Sequence, residues 1–271
     1  MKSYFEIIFQ AFINDKNYVL NACLVLLLIV ILLGQHDWEL MPSPTEFSQD
    51  ATFNSRSELP DFSKTTNVKE KKQHFFEFLK PKIRRANQKI MYQQVLLKKL
   101  SDEIKSNSYH SDTLQKKLIR LGVSYGLKSE NVLAQLDELS KRIDILPESL
   151  VLAQAANESA WGTSRFSTQA NNLFGQWCFT KGCGLVPKNR NQNAKHEVQK
   201  FNSIQDAVTS YMKNLNSNRV YSSLRAIRAN LRQQGRAIKG VKLAEGLKSY
   251  SERGDVYVEE IVRIIKQNHL E

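Results

Sequence analysis

Between Lys69 and Lys105, apolar side chains recur at Phe75, Phe76, Leu79, Ile83, Ile90, Val95, Leu96 and Leu100, the three-to-four spacing of one helix face. Pro81 falls inside this run and, lacking an N–H, is expected to kink or end a first helix. The period resumes over 111–121 and 129–143, with Gly122 and Gly126 marking the break between them and Ser129-Glu130 a start signal. Because the apolar positions hold no long heptad, a compact helical subdomain over 69–145 is expected and not a coiled-coil stalk. Leu146-Pro147 then opens a helix on which Leu150, Val151, Gln154, Ala155 and Glu158 share a face. From Gly162 to Ile204 the pattern changes to Gly, Asn, Pro and Lys with short apolar runs, which predicts a small hairpin lobe or irregular loops. Helical spacing returns after Ser203, with Ala207, Tyr211 and Leu215 on one face.

Tyr18 to Gly34 is a nearly unbroken apolar run in which Asn21 is the only strongly polar residue, about long enough to cross a bilayer at ~1.5 Å per residue. No small-x-small cleavage site follows, which favours an uncleaved anchor over a signal peptide. Lys2 and Lys16 precede the run, while Asp37, Glu39, Glu46 and Asp50 follow it without Lys or Arg. Counting basic residues puts 1–17 in the cytoplasm and the bulk of the chain outside. Residues 35–68, rich in Pro, Ser, Thr, Asn and acids without periodicity, read as a flexible linker. The expected order is therefore a cytoplasmic segment (1–17), a single-pass membrane anchor (18–34), a linker (35–68), a helical subdomain (69–145) and a second domain (146–271) on the outer side.

A chain of 271 residues with 41% hydrophobic content can bury one substantial core plus a smaller unit. Its net charge of +12 suits an anionic polymer, for which nucleic acid, acidic lipid and peptidoglycan all qualify. No zinc-finger spacing, phosphate-binding Gly-rich loop or RNA-binding aromatic signature accompanies the charge, which argues against nucleic acid.

The candidate chemistry starts at Glu158, a carboxylate on an apolar helix face. Desolvation raises a carboxyl pKa, and an acid still protonated at neutral pH is what general-acid cleavage of a glycosidic bond needs. An acid paired with an Arg, or capping a turn, is the bland alternative. Trp161 offers a ring to exclude water, and Gly162 an end to the helix. Glu197, the sole carboxylate between Gly162 and Ile204, is the natural second acid, although a strand Glu among Lys195, His196 and Lys200 is ordinarily just solvated. Cys178 and Cys183 bracket Phe-Thr-Lys-Gly, which in an oxidising compartment suggests a disulfide; free buried thiols stay open. A metal site would need more ligands than His196, so neither metal nor cofactor is expected.

Glu158-Ser-Ala-Trp-Gly162 followed by Asn172-Leu-Phe-Gly175 resembles the signature of the glucosaminidase family (glycoside hydrolase family 73), which degrades peptidoglycan. The resemblance extends over roughly residues 70 to 270, through Phe75–Pro81, Cys178–Pro187, His196–Phe201 and Tyr250–Gly254 with Tyr257. It implies a mainly α chain whose 146–271 segment is a lysozyme-like α+β catalytic domain with a small β/loop lobe. It also implies an endo-β-N-acetylglucosaminidase that cuts the β-1,4 bond after N-acetylglucosamine, with Glu158 as general acid and Trp161, Asn172, Phe174 and Tyr250 in the substrate cleft. The second carboxylate differs among family members, so Glu197, Glu252, Asp255 or the substrate's own acetamido group are all open for that role. A basic run from Lys213 through Arg219, Arg225, Arg228, Arg232, Arg236 and Lys239 to Lys242 has no acid within it; such a run is ordinarily a solvated helix face, but its one-sidedness supports a docking surface for muramyl-peptide carboxylates. Muramidase, lytic transglycosylase and amidase chemistry, or a non-catalytic cell-wall tether, are the rival readings; the sequence sets no oligomeric state.

Overall fold

The computed structural model describes residues 58–106, 112–128, 132–188, 190–191 and 194–271. The expected cytoplasmic segment, membrane anchor, most of the linker and the Ser129-Glu130 start signal lie outside them. No helix among the described residues is long and apolar enough to cross a membrane.

The described residues are mainly helical with one small sheet. Helix α1 (Val68–Lys105) begins where Asn67 accepts hydrogen bonds from the backbone N–H groups of Lys69 and Glu70. Of the two expected effects of Pro81, a kink or an end, the second does not occur, and the helix continues through it. An interior proline costs about 3 kcal/mol, and here Phe75, Phe76, Leu79, Ile83, Ala86 and Ile90 bury the same face on both sides of it. The end of the expected linker is packed as well: Phe62 is buried, its ring 5.4 Å from Phe75.

Helices α2 (Asp112–Ser124) and α3 (Val132–Arg142) form a hairpin against α1. Gly126, at φ 75°, ends α2, with the Leu127 N–H reaching back to the Gly122 carbonyl; Gly122 itself stays within the helix, where only one of the two expected breakers acts. Helix α4 (Glu148–Ser159) follows, with Pro147 one position earlier than expected, at its N-cap. Every residue from Ser149 to Ala156 is buried, so α4 is the central helix and is enclosed on all sides, not on one face. A short helix α5 (Arg165–Ala170) leads to strands β1 (Trp177–Cys178), β2 (Gly184–Leu185) and β3 (Glu197–Gln199), joined antiparallel in the order β1-β3-β2.

Helices α6 (Ile204–Ser217), α7 (Ser222–Gln233), α8 (Gly240–Leu243) and α9 (Asp255–Gln267) complete the shell, with α9 and α8 packed on α4 and α6 packed on α1. One hydrophobic core runs from Phe62 to Ile265. Residues 56–271 pack as one compact unit, which spans the expected boundary at 145/146.

Candidate active site

Glu158 lies in the last turn of α4, where the helix leaves the core. The exit is backbone-driven: Ala160 and Trp161 adopt left-handed φ of 49° and 58°, and Gly162 follows at 79°. Left-handed backbone disfavours residues with a Cβ, and the surroundings hold it here. Ser159 donates to the Ala155 carbonyl (2.6 Å) and accepts from the Gly162 N–H (2.8 Å), while Phe62 fills the space a Cβ on Gly162 would need. The Glu158 carboxyl emerges into a cleft of about 600 Å³, lined also by Phe174, Gln176, Trp177, His196, Asn214 and Tyr250. Gly175 passes so close that a Cβ there would stand 3.8 Å from Glu158 Oε2.

Burial raises the Glu158 pKa above the ordinary carboxyl value, opposed by hydrogen bonds from Tyr257 and Asn157 and by the Arg253 charge. The burying groups are aromatic. Phe174 stacks on Tyr211 at 3.9 Å, Tyr250 stacks on Tyr257 at 5.4 Å, and Tyr221 lies 5.9 Å from Tyr250. Their hydroxyls are spoken for. Tyr250 donates to the Phe174 carbonyl (2.7 Å), Tyr211 donates to Gln154 Oε1, and Gln154 Nε2 donates to Tyr257 Oη (2.9 Å), which leaves the Tyr257 proton for Glu158. The arrangement puts one carboxyl, its pKa raised by burial, in a cleft with amide and imidazole groups on its walls.

Among the described residues lining this cleft, Glu158 is the one carboxylate. Glu197 does not join it, and strand alternation is the reason. Trp177 pairs with Val198 and Cys178 with Glu197, so Trp177, Val198 and His196 face the cleft while Cys178 and Glu197 face away. On that far side Glu197 is buried and accepts from the N–H groups of Gly182 (3.0 Å) and Gly184 (2.8 Å), which hold its pKa below the usual range. Cys178 and Cys183 are disulfide-bonded across the same turn, with Cα atoms 6.2 Å apart. These sulfurs and a Glu197 oxygen lie within 4.8 Å of one another, but bonded sulfurs present no thiolate to a metal.

Of the four residues expected in the cleft, Phe174 and Tyr250 line it and two do not. Trp161 packs edge-on against Phe75 and Phe76 of α1, so its ring closes the core and not the carboxylate's surroundings. Asn172 is buried: its Nδ2 donates to the Gln176 and Gln199 carbonyls, both at 2.9 Å, and its Oδ1 accepts from the Phe174 and Gln176 N–H groups, fixing the loop below Glu158. Glu252 and Asp255 are exposed, Asp255 bound to Lys248 (2.6 Å), and neither lines the cleft. The expected basic docking face is also altered. Arg225 and Arg228 are buried, and Arg232, still half-exposed, is held by Asp144, because helical spacing puts these three on one side of the helix. Trp177, Asn214 and Tyr221 line the cleft without having been singled out from the sequence. Asn214 carried a usable signal, a polar residue one turn beyond Tyr211 on an otherwise apolar face; Tyr221, in a one-turn 3-10 segment, carried none.

The family profile "Glucosaminidase: Mannosyl-glycoprotein endo-beta-N-acetylglucosaminidase" matches residues 133–270, a span that contains every lining residue of the cleft. Protein bax of Escherichia coli (strain K12) is 30% identical over 217 residues, covering 79% of this chain and 75% of that protein. No solved structure matches.

Proposed function

The chain belongs to the glucosaminidase family, and from that premise we propose that it is a peptidoglycan hydrolase, an endo-β-N-acetylglucosaminidase with Glu158 as its general acid. The observation that carries this reading is the single cleft carboxyl whose pKa is raised by aromatic burial. A protonated Glu158 gives its proton to the glycosidic oxygen as the bond to C1 breaks. With no second carboxylate lining the cleft among the described residues, the carbonyl oxygen of the sugar's 2-acetamido group forms the new bond to C1 from the opposite face. The Glu158 carboxylate then takes a proton from the water that opens the cyclised intermediate, returning the acid to its starting state. The apolar run from Val19 to Leu33 supports a single-pass inner-membrane anchor with the catalytic unit in the periplasm, where this substrate lies.

Digestion of purified sacculi by the protein, with mass spectrometry of the products, tests the reading. Reducing N-acetylglucosamine ends are expected; reducing muramic ends would make it a muramidase, 1,6-anhydro ends a transglycosylase, freed peptides an amidase, and pelleting without soluble products a tether. Glu158→Gln is expected to lower the rate by about 10²–10⁴-fold while sparing binding to sacculi. A rate within a few-fold of the parent would remove Glu158 from the mechanism.

A further inference from the structure

The lobe carries an aromatic pair that the acid chemistry above does not use. Trp177 is 58% exposed, a large apolar ring left in water, and its indole stacks on the His196 imidazole with centroids 4.0 Å apart and planes 14° from parallel. One ring face is thus covered by His196, and both residues line the cleft that holds Glu158. The back of the lobe fixes the pair from behind: Cys178, next to Trp177, is tied to Cys183, and Glu197, next to His196, is tied to the Gly182 and Gly184 amides. Gly184 makes this fit possible, since a Cβ there would fall 1.9 Å from the Val198 carbonyl oxygen. A rigid ring with one face backed and the other open costs little ordering on binding. It suits a flat ligand with an apolar C–H face and polar edges, and a pyranose ring has that shape; the C–H hydrogens meet the negative face of the indole.

We propose that Trp177, backed by His196, is a saccharide-stacking shelf that binds a pyranose of the glycan strand removed from the scissile bond. This rests on the cleft being a glycan site, as argued above. The shelf sits on the lobe while the acid sits at the end of α4, so a strand spanning the cleft meets both, and a short fragment is held at the acid without reaching the shelf.

The test measures calorimetric binding of denuded glycan fragments, a disaccharide and a hexasaccharide, to Glu158→Gln protein with and without Trp177→Ala. The expected result is a loss of about tenfold for the hexasaccharide, the size of one good aromatic contact, with the disaccharide unchanged. Trp177→Phe is expected to recover most of the loss, and His196→Ala to give part of it. In otherwise unaltered protein, Trp177→Ala should raise KM for long strands far more than it lowers kcat. Equal hexasaccharide affinity with and without Trp177 overturns the shelf and leaves hydrolysis standing. Equal losses for both lengths, unrescued by Phe, also overturn it, by marking a distorted lobe. Protein that binds in a Trp177-dependent way but cleaves nothing supports the shelf and removes the hydrolase reading. Protein that binds neither fragment nor sacculi removes both.

Discussion

At the scale of the residue, Glu158 joins two consequences of one cause. Burial disfavours its charged form, so its folded pKa is above its unfolded one. Between those two values the folded state holds more protons than the unfolded state, and stability falls as pH rises through that window; below it the penalty is absent. Glu158→Gln cannot ionise, so it is expected to raise the melting temperature at neutral pH and to change it little at about pH 3, below the ordinary glutamate value of about 4.3. Melts that shift equally at both pH values would detach the penalty from the charge. Activity should follow the same proton, kcat falling as pH rises through the raised pKa. Because the Tyr257 hydrogen bond favours the carboxylate, Tyr257→Phe should move that basic limb to higher pH. A limb that stays in place or moves lower in the pH–rate profile would contradict the contact.

At the scale of the element, the three short strands work through their two faces. Trp177, His196 and Val198 form the wall of a cleft, and Cys178 and Glu197 form the fastening behind it. Backbone hydrogen bonds lower the Glu197 pKa, so its support of the lobe is present above the ordinary carboxyl range and is lost as pH falls through the depressed value. Glu197→Gln keeps an acceptor and the strand, and is expected to leave sacculus hydrolysis within a few-fold while lowering the protection of the Gly182 and Gly184 amides against hydrogen exchange. A rate loss as deep as that of Glu158→Gln, with those amides still protected, would return Glu197 to the chemistry. Reduction of Cys178–Cys183 should expose the same two amides, read by the same exchange.

At the scale of the whole molecule, a buried cation ties the two halves together. Arg228 on α7 is fully buried and donates to the carbonyls of Lys141 (2.9 Å) and Asp144 (3.0 Å) and to Asn216 Oδ1 (2.7 Å). Burial pushes its pKa down to about 10, with the Asp144 charge opposing, so it is still a cation at neutral pH. Asp144 in turn accepts from Arg232 at 3.0 and 2.8 Å, from Gln94 of α1 at 3.0 Å and from the Ile145 N–H at 2.8 Å. These contacts cross the place where two domains were expected to meet. Removing one partner strands the others without solvent, so Arg228→Ala should cost about 3–5 kcal/mol of unfolding free energy in urea titration. A loss below about 1 kcal/mol, or two separate unfolding transitions, would contradict a single cooperative unit.

The sequence by itself determined what repeats locally or is written in a short motif: the helices of α1 and α6, the irregular lobe between them, and Glu158 at a helix end. Periodicity and backbone chemistry act over a few residues, and those signals survive without a tertiary structure. Which face of a short strand turns inward did not survive in that way. Glu197 and His196 are neighbours in sequence, and only the pairing of β3 with β1 sends one to the cleft and the other behind it. Tertiary packing likewise carried α1 through Pro81, set Trp161 against the core beside Phe75 and Phe76, and turned Arg225 and Arg228 from a basic surface into interior cations. In each case the deciding partner lies far away in the chain, and burial against that partner outweighs the local preference.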